Sequence, residues 1–175
     1  VDLRSHVEHE VTGAGPLRST PLTHHHHSLL REDLGADETV EEALAVRWGR
    51  GDPAALAAIR DSAGGTVVHC AAGKDRTGTV VGMALAVAGV PDEEIVADYV
   101  LTAGRLERII DRLIEVEPYR RSLPTHTLEE QLPRAESMAA VLAHLDEEFG
   151  GTIGWLEAAG WTQEEVTRLR DRLVG

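Results

Sequence analysis

The sequence predicts an α/β domain: one small sheet flanked by helices, with a helix-rich C-terminal half. Two observations carry this. A β-branched apolar run, Thr66 to His69, leads through a glycine-containing loop into an apolar helix-like stretch from Thr79 to Val90. Beyond it, apolar residues recur at helical spacing out to Leu173. The 175 residues are expected to form a single domain spanning 1–175, long enough for a real core.

Taken in order, residues 1–5 read as a strand and 6–32 as a long polar connection, punctuated by Gly13, Gly15, Pro16 and Pro21. Within it lies His24-His25-His26-His27. Such a run can bind a transition metal, but more often makes a mobile surface loop, and no metal site is assigned to it. A connection of this length is expected to border a functional site. Asp37 caps a helix with Val40, Leu44 and Trp48 on one face. Asp52-Pro53 starts the next, which carries Leu56 and Ile59 and ends at Ala63-Gly64-Gly65. Thr66 to His69 is then a short strand suited to the middle of a sheet covered on both faces.

After the loop and its helix, Pro91-Asp92-Glu93-Glu94 opens another, with Ile95, Val96, Tyr99 and Val100 facing inward. Leu106, Ile109, Ile110, Leu113 and Ile114 form a strongly amphipathic segment stopped before Pro118. Residues 116–133 are looser. Met138, Val141, Leu142, Leu145 and Phe149 mark a helix ended by Gly150-Gly151. Ile153 to Ala159 is a short helix, and Thr162-Gln163-Glu164-Glu165 is a capping box opening the last one.

Composition narrows the function classes. Aromatic residues make up only 3%, so Ala, Val, Leu and Ile must build the core. A single cysteine excludes an internal disulfide and a multi-cysteine zinc site. A formal charge of −13 argues against nucleic acid and anionic membranes as partners. It leaves an anionic substrate open, because the global field is screened beyond roughly 8 Å. No stretch approaches the ~20 apolar residues of a membrane span, so stable membrane insertion is not expected.

The chemistry gathers in Val67-Val68-His69-Cys70-Ala71-Ala72-Gly73-Lys74-Asp75-Arg76-Thr77-Gly78, which holds the only cysteine and the only lysine of the chain. Backbone N–H groups at a helix start lack partners, and with the helix dipole they form an anion site that a tight loop deepens. Gly73 can adopt a positive φ, and Ala71 and Ala72 leave room for the anion. Arg76 would return to the loop's mouth, where its fork can bind two phosphate oxygens. The same groups would favour the Cys70 thiolate, placed for in-line attack on phosphorus. Core filler is the usual role of a lone cysteine, but a phosphate nest beside a thiol has no packing rationale.

His69-Cys70-x-x-Gly73-Lys74-Asp75-Arg76-Thr77-Gly78 resembles the Cys-x5-Arg-Ser/Thr signature of cysteine-dependent phosphatases, most closely the bacterial and fungal tyrosine-phosphatase family. The Asp-Arg-Thr ending also resembles myotubularin- and Sac-type phosphoinositide phosphatases. Weaker matches lie in Val1-Asp2-Leu3-Arg4-Ser5 with Glu8, in Ala97 to Leu101, and in the tail from Phe149 to Arg170. The resemblance implies a cysteine-phosphatase-like, mostly parallel sheet. It also implies that the chain is truncated at its N-terminus, since the family has further residues upstream. A helical lid over the pocket is implied too, for which segments 104–115 and 125–135 (helices within 104–135) are the candidates; ordinary packing on the sheet is the alternative.

The resemblance implies a phosphomonoester hydrolase, protein-tyrosine or dual-specificity, working through a cysteinyl-phosphate, with phosphoinositide phosphatase as an alternative. The proposed catalytic set is Cys70, Asp75 and Arg76. Ala71, Ala72, Gly73, Lys74, Asp75 and Arg76 would bind phosphate. Thr77 is placed to hydrogen-bond the thiolate, or only to serve the helix start. His69 should point away from the pocket and orient the nucleophile. No Trp-Pro-Asp loop occurs, so Asp75 is the expected general acid, bracing of the loop its alternative, and Asp33, Asp37 and Asp52 outside candidates. Lys74 suggests a point charge for a second phosphate. No cofactor is needed. The expected partner is a phosphotyrosine protein or a phosphoinositide. An inactive phosphate-binding module is the competing class; arsenate reduction or sulfur transfer is disfavoured by the lack of further thiols. Oligomeric state is not legible, and localisation is cytoplasmic by default, with export left open by the missing upstream residues.

Overall fold

The computed structural model describes residues 1–29, 53–123 and 127–175. At its centre lies α3 (Asp75–Ala88), packed by α2 (Ala54–Asp61), α4 (Asp92–Val100), α7 (Ala135–Phe149), α8 (Thr152–Ala158) and α9 (Gln163–Val174). The centre of a fold must be apolar on several sides, and α3 buries Val80, Met83, Ala84 and Val87. They join Leu3, Leu56, Cys70, Leu145, Leu156 and Leu169 in the main core. A second, smaller cluster of Ile95, Tyr99, Met138 and Leu142 fills the space between α4 and α7.

The sheet is smaller than the sequence suggests. Residues 1–5 and 66–69 are extended, but no strand forms among the described residues; Asp2 makes isolated parallel bridges to His26 on one side and His69 on the other. Leu3 N–H donates to His69 O at 2.8 Å, His69 N–H to Val1 O at 2.9 Å, and Asp2 N–H to His25 O at 2.8 Å. Each pairing ends early because the chain leaves it: Ser5 becomes a helix cap and Cys70 enters the loop. The extended alternation still sorts side chains, with Leu3 in the core and Asp2 and Arg4 on the other face.

The polar connection expected over 6–32 contains two helical elements: α1 (His6–Thr12) and a 3₁₀ turn (Gly15–Ser19). Helix α1 is opened by a capping box, in which Glu8 N–H donates to Ser5 Oγ at 3.1 Å and Ser5 N–H to Glu8 Oε2 at 2.7 Å. It stops at Gly13, whose φ of 66° suits glycine. The histidine run supplies the outer extended segment paired with Asp2 instead of a free loop. His26 stacks on His9 at 4.4 Å, and no group of three or more metal-ligating side chains assembles among the described residues. The helix expected from Asp37, and the residues Asp33, Asp37 and Asp52, lie outside the described residues.

The remaining helices follow the sequence closely. Helix α9 has its Thr162/Glu165 capping box, and α7 ends at Gly150 with φ 72°. The amphipathic segment forms α5 (Ala103–Leu113), followed by a short α6 (Tyr119–Ser122). In the second lid candidate, residues 127–134 are turn and extended chain, and only its last residue, Ala135, is helical, as the start of α7. No described helix is long and apolar enough to cross a membrane.

Candidate active site

Cys70 is buried at the end of the inner extended segment, where the chain turns into the loop. Gly73 takes φ 68°, a conformation that favours glycine, and this brings Lys74 and Asp75 round to begin α3. The loop and the first turn of α3 bound a cavity of about 200 Å³ lined by Cys70, Ala71, Ala72, Lys74, Asp75 and Arg76. Its other wall comes from Glu8, Leu106, Ile110, Leu113, Tyr119, Leu123 and Gln131. Cys70, Asp75 and Arg76 are thus brought to one cavity, with the apolar face of α5 opposite.

Arg76 is held by a partner to which sequence reasoning gave no role. Its Nη1 donates to Glu8 Oε2 at 2.6 Å and its Nη2 to Glu8 Oε1 at 3.0 Å; Nη1 also reaches Leu3 O at 3.3 Å. This end-on pairing uses the two terminal nitrogens and not the edge through Nε. Burial works against the Glu8 charge, but the Arg76 guanidinium, the Ser5 N–H and the Tyr119 hydroxyl outweigh it and bring the carboxyl to about 2. Burial likewise opposes the Arg76 charge, and Glu8 together with the nearby Cys70 holds its pKa above the ordinary range. Burial and the Glu8 carboxylate push Tyr119 upward, so it stays a neutral phenol.

What aims Glu8 is the polar face of the N-terminal segment. Arg4 donates through Nε to Asp2 Oδ1 at 2.9 Å and through Nη2 to Asp2 Oδ2 at 2.6 Å and Gly13 O at 2.9 Å, and bonds Thr12 Oγ1 through Nη1. His9 Nδ1 lies 3.0 Å from Asp2 Oδ2. Both ends of α1 are therefore tied down, by Ser5 at the start and by Arg4 at the finish. Burial opposes the Asp2 charge, yet hydrogen bonds from Arg4 and His9 keep its carboxyl far below the usual range. The sequence signal was present in Ser5-x-x-Glu8, which spells a capping box, but the surrounding histidines and glycines masked it.

Asp75 accepts a hydrogen bond from the Tyr99 hydroxyl on Oδ1 at 2.9 Å, and Lys74 Nζ lies 3.4 Å from Oδ2. Lys74 Nζ donates to Gln131 O at 2.7 Å, linking the loop to the segment across the cavity. The Thr77 hydroxyl is buried and makes no hydrogen bond to Cys70 or to any other described group. The His69 ring turns out of this cavity into a separate hollow of about 690 Å³. Its Nδ1 lies 3.3 Å from Cys70 O and 3.9 Å from Asp2 Oδ1. Helical spacing marks Tyr99 only as an inward-facing core residue; it reports burial and not where a hydroxyl points.

Comparison with known proteins adds to this geometry. The family model described as tyrosine phosphatase family matches residues 1–175. The chain is 37% identical over 126 residues to a tyrosine-protein phosphatase of Nostoc commune, a match covering 67% of this chain and 41% of that protein. It is 34% identical over 122 residues to the triple specificity protein phosphatase PtpB of Mycobacterium tuberculosis, covering 62% of this chain and 44% of that protein. The chain therefore spans less than half the length of these curated relatives.

Proposed function

Because the chain belongs to the tyrosine phosphatase family, we propose that it hydrolyses aryl phosphomonoesters through a cysteinyl-phosphate formed on Cys70. The observation that carries this reading is the convergence of Cys70, Asp75 and Arg76 on one cavity at the N-terminus of α3. The phosphoryl group sits over the loop, with the amides of Ala71 to Arg76 and the Nε edge of Arg76 on its equatorial oxygens. The Cys70 sulfur attacks phosphorus as the ester oxygen leaves, taking a proton from Asp75. A water then attacks the phosphocysteine, giving one of its own protons to the Asp75 carboxylate and releasing phosphate and the thiolate. Lys74 adds positive charge at the rim. His69 supports the nucleophile from behind.

Substrate class follows from the far wall. Leu106, Ile110, Leu113 and Leu123 offer an apolar surface to the leaving group, which favours phosphotyrosine. Helix α5 acts as the lid on this reading. Lys74, beside the loop, supports a second reading in which a phosphoinositide headgroup is accepted, and a relative carries triple specificity in its name. The competing class is a module that binds phosphate without turning it over.

Hydrolysis of an aryl phosphate by the purified chain, with and without vanadate and beside Cys70→Ser, tests the proposal. Vanadate-sensitive turnover that Cys70→Ser abolishes, with phosphate binding retained, is the expected result. Turnover that survives Cys70→Ser refutes the phosphocysteine route, and phosphate binding without turnover in the unsubstituted chain leaves the binding module. A panel of phosphopeptides and phosphoinositides then separates the two substrate readings.

A further inference from the structure

We infer that Tyr99 is a positioning residue for the general acid, with Gly78 as the notch that lets it reach. The inference rests on the reading of Asp75 as that acid. Asp75 is the first residue of α3, its carboxylate partly open to the cavity. On its own helix end the carboxylate is approached by Lys74 Nζ, 3.4 Å from Oδ2. The Tyr99 hydroxyl fixes the other oxygen, donating to Oδ1 at 2.9 Å from the neighbouring α4.

The reach is built into the packing. Tyr99 is buried in the second core cluster with Ile95, Met138 and Leu142, so its ring has little freedom. That ring lies directly over Gly78. A Cβ on residue 78 would stand 2.6 Å from Tyr99 Cδ2 and 2.9 Å from Cε2, closer than atoms can approach. Glycine at this position lets an aromatic ring cross the first turns of α3 and bring its hydroxyl to the start of the helix. For packing alone a phenylalanine would serve at 99 and would not bring a polar atom into an apolar cluster. Hydroxyl and notch are independent features with one outcome.

The consequence is a division of labour on the carboxyl group. With Oδ1 accepting from Tyr99, Oδ2, the oxygen 3.4 Å from Lys74 Nζ, is the one that carries the proton to the leaving oxygen. In the second half-reaction the same oxygen takes a proton from water. Loss of the Tyr99 hydroxyl leaves the carboxyl held only by the flexible Lys74 side chain, and proton transfer depends on its placement.

The test compares kcat/KM of the purified chain for phenyl phosphate, whose leaving oxygen needs a proton, and 2,4-dinitrophenyl phosphate, whose leaving group departs without one. For Tyr99→Phe, which keeps the ring and its packing, phenyl phosphate should lose about ten- to a hundred-fold while dinitrophenyl phosphate loses less than about three-fold. Gly78→Ala should give the same selective loss, and adding it to Tyr99→Phe should deepen that selectivity no further. Equal losses on both substrates in Tyr99→Phe would mean a purely structural role and overturn the inference. An Asp75→Asn variant with no leaving-group selectivity would instead overturn the reading of Asp75, whatever Tyr99 does. If Asp75→Asn is selective and Tyr99→Phe is not, the acid stands and the positioning role falls.

Discussion

Replacing Glu8 by Gln should damage both stability and catalysis, by an amount the structure lets one work out. The carboxylate is almost fully buried and accepts two hydrogen bonds from the equally buried Arg76. Its move from an ordinary 4.5 to about 2 corresponds to about 3 kcal/mol of favourable interaction with the ionised form. Stranding the arginine gives a matching figure, since breaking a buried pair on one side typically costs about 3–5 kcal/mol. Glutamine keeps the volume and one acceptor, so a loss of about 2–3 kcal/mol is expected at pH 7. Urea unfolding reads it. Because the folded value is depressed, the Glu8 contribution is complete above the unfolded value of 4.5 and disappears as pH falls towards 2, so the gap between wild type and variant should narrow at pH 3. Released from its partner, Arg76 would lose its fixed direction, and kcat/KM for an aryl phosphate should fall by about 100-fold. A variant within about 0.5 kcal/mol of wild type at pH 7, as for an ordinary surface change, and with unchanged kcat/KM would refute the reasoning.

Further outcomes follow from the same geometry. Stability measured by urea titration should hold from pH 7 to about 5 and then fall, first as Glu8 and then as Asp2 is protonated, because both carboxyls sit below their unfolded values. Ile110→Ala, on the apolar wall of the cavity, should raise KM for aryl phosphates by about ten-fold through lost burial while leaving inhibition by inorganic phosphate unchanged. Gly154→Ala should destabilise by more than about 2 kcal/mol in thermal melts, since a Cβ there would clash with the Phe149 carbonyl oxygen and force α7 and α8 apart.

Much of the helical architecture was legible because its signals are local. Apolar spacing marked α3, α5 and α7, the Thr162/Glu165 box marked α9, and Gly150-Gly151 marked the end of α7. The loop was the clearest of all, since the only cysteine and the only lysine of the chain fall in it with Gly73 and Arg76. The rest depends on non-local pairing. The Asp2–Arg4 face closes around α1 only when Gly13 and Thr12 return to it, and Glu8 meets Arg76 across 68 positions of chain. Strand periodicity at 1–5 and 66–69 reported extended backbone correctly but could not say how few rungs would pair. Tyr99 shows the same limit in reverse: helical spacing gave its burial, and only the packed neighbour Gly78 reveals its aim.

The central claim is that a phosphoryl group passes through the sulfur of Cys70, and trapping it is the most direct measurement. Asp75→Asn, expected to slow the water-dependent second step, is mixed with an activated aryl phosphate, quenched in acid during turnover, digested and analysed by mass spectrometry. One phosphoryl group on the peptide containing Cys70, absent from a Cys70→Ser control, is the predicted result. Turnover with that peptide unmodified, or with the phosphoryl group on another residue, would contradict it.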